Sequence, residues 1–141
     1  MANFSSIIKD WTKKTQEKQT AVYRRSVELL GEEMTNTKPN GGNVPFLTGA
    51  LARSLLASTQ GMPKNSDKIP AGSNVGLVAS GLNLGQTVWL GYTMVYSRRQ
   101  NYGYVGADSL GRVYNQQGSY FVEKAIAKWP QLVKKAVDEI K

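Results

Sequence analysis

Apolar positions in the first quarter of the chain recur with the period of a helix. Phe4, Ile7, Ile8 and Trp11 stand three and four residues apart, and so do Tyr23, Val27, Leu30 and Met34. Residues 4 to 36 therefore read as one long helix or two helices in line. Between the two apolar groups lies TKKTQEKQT, without one apolar side chain, which by itself reads as a solvated helix face. A continuous helix would be about 50 Å long, longer than a compact domain of this chain length is wide, so part of it should project or lie against another subunit.

The stretch NTKPNGGNVP collects Asn, Gly and Pro, stops the helix and predicts a loop. A second, short helix follows, with Thr48 as N-cap and an apolar stripe of Leu51 and Leu55, flanked by Ala52 and Leu56, through TGALARSLLAST, packed on a sheet. QGMPKNSDKIPAGSN predicts an exposed loop. The period then changes: VGLVA (75 to 79) and TVWL (87 to 90) are short β-branched or aromatic runs separated by SGLNLGQ, which predicts an antiparallel hairpin. Tyr92, Val95, Tyr96 and Arg99 return to helical spacing and predict a short helix ending near Gly103. From 104 to 118 glycines recur among polar residues, with Arg112, Val113 and Tyr114 as a short strand between turns.

The last helix keeps Val122, Ala125, Ile126, Trp129, Val133, Ala136 and Ile140 on one face. Pro130 must kink it or open a second helix with Trp129 at the boundary, because proline offers no N–H to residue 126 and its ring crowds that carbonyl. There is no internal repeat. The pattern is an α+β fold: a long N-terminal helix, short helices on a small antiparallel sheet, and a C-terminal amphipathic helix kinked at Pro130. A single domain spanning 1–141 is expected, with 1–40 as a projecting helix and loop.

The composition narrows the chemistry. Forty per cent hydrophobic and 20% charged residues, with three Trp, seven Tyr and three Phe in 141 residues, predict a folded chain. No cationic leader precedes an apolar run and no 18 consecutive residues are apolar, so neither a signal peptide nor a membrane span is expected and synthesis in a cytoplasm is. Cysteine and histidine are both absent, which removes disulfides, thiolate metal sites, the commonest metal ligand and the commonest general base near neutral pH. No GxxxxGK[ST] or GxGxxG signature occurs, and Glu32 and Glu33 are adjacent, pointing about 100° apart on a helix. No enzyme activity, cofactor or metal is expected; a Ser–Lys arrangement is the one catalytic device that local spacing does not address. Eighteen basic against ten acidic residues give +8, which suits nucleic acid, an acidic protein surface or an anionic membrane, and is also a common solubility device.

One motif stands out. In YSRRQNYGYVGADSLGRVYNQQGSYF, Arg98, Arg99 and Arg112 are interleaved with Tyr96, Tyr102, Tyr104, Tyr114 and Tyr120. Arginine on phosphate with tyrosine stacked on bases would suit nucleic acid. The same pair is enriched at protein interface hot spots, and with no nucleic-acid-binding module around it the interface is the preferred reading.

The order of these features resembles the head-tail joining, or tail-completion, family of neck proteins of tailed bacteriophages. Three motifs carry the resemblance across about residues 45 to 130: T-G-x-L-x-x-S at Thr48, Gly49, Leu51 and Ser54; a Y-x-R-x-x-E-Y-G-type segment at Tyr96, Arg98, Tyr102 and Gly103; and G-x-x-F at Gly118 and Phe121, with Ala125 beyond it. Asn101 stands where the family often has Glu, so a charge pair made by that Glu is not carried over. The resemblance implies a structural virion protein without catalytic residues, forming a six- or twelve-fold ring of itself in the neck. That ring would contact the portal or connector on one side and tail terminator or tail-tube proteins on the other, surround the DNA channel, and involve no membrane. A tail terminator ring and a basic, non-specific nucleic-acid-binding module are the alternatives.

Overall fold

The computed structural model describes residues 3–107 and 109–141; Asp108, within the glycine-rich stretch, lies outside them. Helix α1 (Phe4–Thr35) is continuous over 32 residues, about 48 Å. Asn3 caps it by accepting a hydrogen bond from the Ser6 N–H at 2.8 Å. A 3-10 turn (Lys38–Asn40) and an isolated bridge between Thr37 and Val44 shape the following loop. Then come α2 (Ala50–Arg53), β1 (Leu55–Ser58), α3 (Val75–Ala79), β2 (Trp89–Tyr92), α4 (Ser97–Tyr102), β3 (Gly103–Ala107), β4 (Val113–Gln117), α5 (Phe121–Ala127) and α6 (Trp129–Ile140). The fold is α+β, with two separate two-stranded antiparallel sheets, β1–β2 and β3–β4.

Three expectations are corrected. Tyr92 does not open a helix with Val95 and Tyr96: it ends strand β2, paired with Leu55, and the helix is confined to Ser97–Tyr102. The second helix stops after one turn: the Ser54 carbonyl accepts from the Thr93 N–H at 3.0 Å in place of a helical donor, and the chain leaves as strand β1, paired with β2. There Leu55 and Ala57 are buried in alternation, a period of two, so Leu55 does not extend the helical stripe of Leu51. Nor do 75 to 79 pair with 87 to 90. Residues 75–79 are helix α3, and β2 pairs with β1 instead, Leu55 opposite Tyr92 and Ser58 opposite Trp89.

The edge of β1 that a third strand would have taken is occupied at Ala57 by the Asn74 side chain. That amide accepts from the Ala57 N–H at 2.7 Å and donates to the Ala57 carbonyl at 3.1 Å. Val75 and Ala79, four apart, are buried, and Val75 sits so close to α1 that any Cβ at Gly31 would collide with it. Burial on a helix surface thus outweighs the β preference of a valine-rich run.

The principal core gathers Val27 and Met34 of α1, Leu55 and Ala57 of β1, Val75, Ala79 and Leu82, and Ala125 of α5. A smaller cluster joins Val44, Leu51, Ala52 and Phe121. Tyr92 links the two: its ring meets Phe121 edge-on at 5.1 Å and its hydroxyl donates to the Met34 carbonyl at 2.6 Å. Burial pushes its phenol pKa up. Pro130 opens α6 within its first turn, with Lys128 between the two helices, as the absent N–H requires. Arg25 then ties α1 to α6 through Glu139 at 2.7 Å, and Lys128 reaches Glu33 at 2.7 Å.

Candidate assembly surfaces

The arginine–tyrosine segment folds into α4 followed by the β3–β4 hairpin. Arg98 lies over the Tyr102 ring at 5.8 Å and Arg99 over Tyr104 at 4.1 Å, both within cation–π range. Tyr104 faces Tyr114 across the hairpin at 6.2 Å, and Tyr102 meets Tyr120 edge-on at 6.3 Å. The segment is thus gathered into two sets, Arg98–Tyr102–Tyr120 and Arg99–Tyr104–Tyr114. Arg112 is exposed just before β4. Tyr96 is turned elsewhere: it lines a groove of about 520 Å³ with Phe46, Leu47, Ile69 and Met94.

Every residue of β4 is exposed and β3 is at most half-buried. Val105 and Val113 keep 76% and 79% of their surface. A two-stranded hairpin without a covered face is marginal on its own. Its root is what fixes it. Gly103 has φ 85° and ψ 176°, a region that only glycine adopts without strain, and a Cβ on Gly118 would strike the backbone of Asn101 and Tyr102.

Asn101 is the hub of this root and is 3% exposed. Its amide nitrogen donates to both oxygens of Glu123, at 3.1 and 2.8 Å, and its amide oxygen accepts from the Val122 N–H at 3.0 Å. Its main-chain carbonyl accepts from the Tyr120 N–H at 2.9 Å. Partial burial raises the Glu123 pKa, but hydrogen bonds from Asn101, its own backbone N–H and Tyr102 outweigh that and hold it below the usual carboxylate value. The hydrogen bond to Glu123 correspondingly raises the Tyr102 phenol. In the sequence Asn101 stands out only as a departure from the motif; its pairing with Glu123, 22 residues on, has no local signature.

The other motif residues serve the scaffold. Gly49 has a positive φ of 80° at the start of α2, Leu51 and Phe121 are buried, and Ser54 is wholly buried, accepting from Thr93 N–H at 3.0 Å through its carbonyl. Thr48 is not the N-cap expected of it: Gly49 holds that position without a side-chain cap, and the Thr48 hydroxyl only receives the Ala50 N–H at a long 3.4 Å.

A second surface is apolar. Phe4, Ile7, Ile8 and Trp11 are 78%, 56%, 45% and 65% exposed, and the first buried residue of α1 is Ser26. Beside the body of α1 runs a groove of about 650 Å³ between Tyr23, Leu30, Leu90, Ile126 and Trp129. It continues along α6 past Val133 and Val137.

Among the described residues no helix is long and apolar enough to cross a membrane, and no group of three or more acidic residues is placed to hold a metal ion. Comparison with protein-family models, curated proteins and solved structures yields no match.

Proposed function

We propose that this chain is a structural protein of a bacteriophage neck, a ring subunit that joins the DNA-filled head to the tail and works by assembly without catalysis. The observation that carries assembly is the amount of apolar and aromatic surface held out to solvent: the Phe4 to Trp11 stripe on α1, and the hairpin bearing Val105 and Val113 on one face and Tyr114 on the other. Monomeric proteins seldom expose so many large apolar side chains in contiguous sets. Assignment to the neck rests on the three ordered motifs, from Thr48 to Phe121. A small domain repeated about an axis by head-to-tail contacts closes into a ring, and the net charge of +8 suits a position beside DNA.

The test is to purify the particles made from the genome that encodes this chain and to locate it in them by labelled-antibody electron microscopy. Label confined to the head–tail junction is the expected result. Particles complete without the chain, or label on the capsid shell alone, would overturn the reading.

A further inference from the structure

The exposed stripe and the apolar groove lie on the same chain yet cannot meet within one molecule. From the middle of the stripe, near Ile7, to the middle of the groove wall, near Ser26, is about 28 Å along a continuous helix axis. That is on the order of one domain width. A straight helix cannot fold back on itself, so a stripe that fills the groove must belong to another copy, and a neighbouring copy displaced by one domain width would carry its stripe to the right distance.

The charges of the two surfaces agree with this. The groove between Tyr23, Leu90, Ile126 and Trp129 has no charged lining residue, and its continuation along α6 has one, Lys18. Residues 3–12 hold one lysine and one acid, Lys9 and Asp10, both more than 90° around the helix from the middle of the stripe. In a molecule of +8, two copies would ordinarily repel; here they would meet through neutral surfaces.

We infer that the first three turns of α1 dock into the Tyr23–Trp129 groove of the next copy, so that each subunit gives a helix to one neighbour and receives one from the other. This rests on the ring reading and names its subunit contact. Phe4 and Trp11, at 78% and 65% exposure, would together cover roughly 300 Å². Even with the two isoleucines, one such contact falls short of the roughly 800 Å² per partner of a standard interface. It is weak singly, and ring closure, in which every subunit makes it twice, sustains it.

The chain has no cysteine, so cross-linking can be designed without background. Ile8→Cys and Ile126→Cys, both exposed positions, are placed in one chain and treated with a short thiol-specific cross-linker. The expected product is a ladder of covalent oligomers ending at the size of the native assembly, with at least fivefold less from an Asp10→Cys, Ile126→Cys control. Ile7→Asp with Trp11→Asp should leave the circular dichroism unchanged and abolish oligomers. If the native chain is oligomeric but neither the ladder nor the loss of assembly is seen, the docking is wrong while the ring reading stands. A ladder ending at the dimer, with a dimeric native chain, would support docking and overturn the ring. A native chain monomeric at every concentration, without cross-links, would overturn both.

Discussion

Asn101 satisfies four partners from a nearly buried position: both oxygens of Glu123, the Val122 N–H and the Tyr120 N–H. Asn101→Ala leaves the Val122 N–H and a carboxylate short of partners, and should cost about 1–3 kcal/mol in urea unfolding. Asn101→Glu, the residue common in the family that the motifs resemble, would set a second carboxylate against Glu123; its loss should be greater at neutral pH and partly recovered when one carboxyl is protonated. The same chemistry fixes the acid response. Glu123 and, through the Arg25 hydrogen bond, Glu139 both have pKa values lowered in the folded protein. Their stabilisation is therefore complete above the unfolded carboxylate pKa and is lost as pH falls through the lower folded values. Glu123→Gln with Glu139→Gln should flatten thermal stability against pH across the acid range, and an unchanged acid slope would contradict the assignment. At Gly103, substitution by Ala forces a side chain into a glycine-only conformation and should cost about 1–3 kcal/mol.

At the scale of elements, the first turns of α1 and the β3–β4 hairpin are supported by little burial. Removing residues 1–11 takes away exposed side chains only among those described, so the unfolding free energy of the unassembled subunit, measured at a concentration too low for oligomers, should change by less than about 0.5 kcal/mol. Amide exchange should be faster in β3–β4 than in β1–β2, whose Leu55 is fully buried; equal protection would show that the hairpin is covered. These elements were also unequally legible in sequence. The long helix, the Pro130 break with Trp129 at the boundary, and the strand at Val113 and Tyr114 follow from local period and from proline chemistry. The nature of 55–58 and 75–79 does not, because Leu51 and Leu55 fit a helical spacing until pairing with β2 draws Leu55 into a strand. Val75 to Ala79 fit a strand until Gly31 lets Val75 seat on α1. Both outcomes depend on partners far away in the chain. Likewise the arginines and tyrosines were visible as a cluster, whereas their pairing as Arg98 on Tyr102 and Arg99 on Tyr104 required the turn from α4 into β3.

Over the whole molecule the charge is uneven. Residues 36 to 122 hold seven basic and two acidic residues, while 4 to 35 hold six and five, so the loops and hairpin carry most of the positive excess. That distribution predicts weak duplex binding that falls linearly in log–log form as salt rises, with no preference between unrelated sequences. Fluorescence anisotropy over a salt series measures it; a thousandfold preference for one duplex at physiological salt would favour a dedicated DNA-binding protein. Assembly is the larger claim, and native mass spectrometry of the purified full chain tests it most directly. A single closed species of fixed copy number, six or twelve, unchanged on moderate dilution, is the predicted result. A monomer at all concentrations, or an open series of sizes without a preferred number, would contradict it.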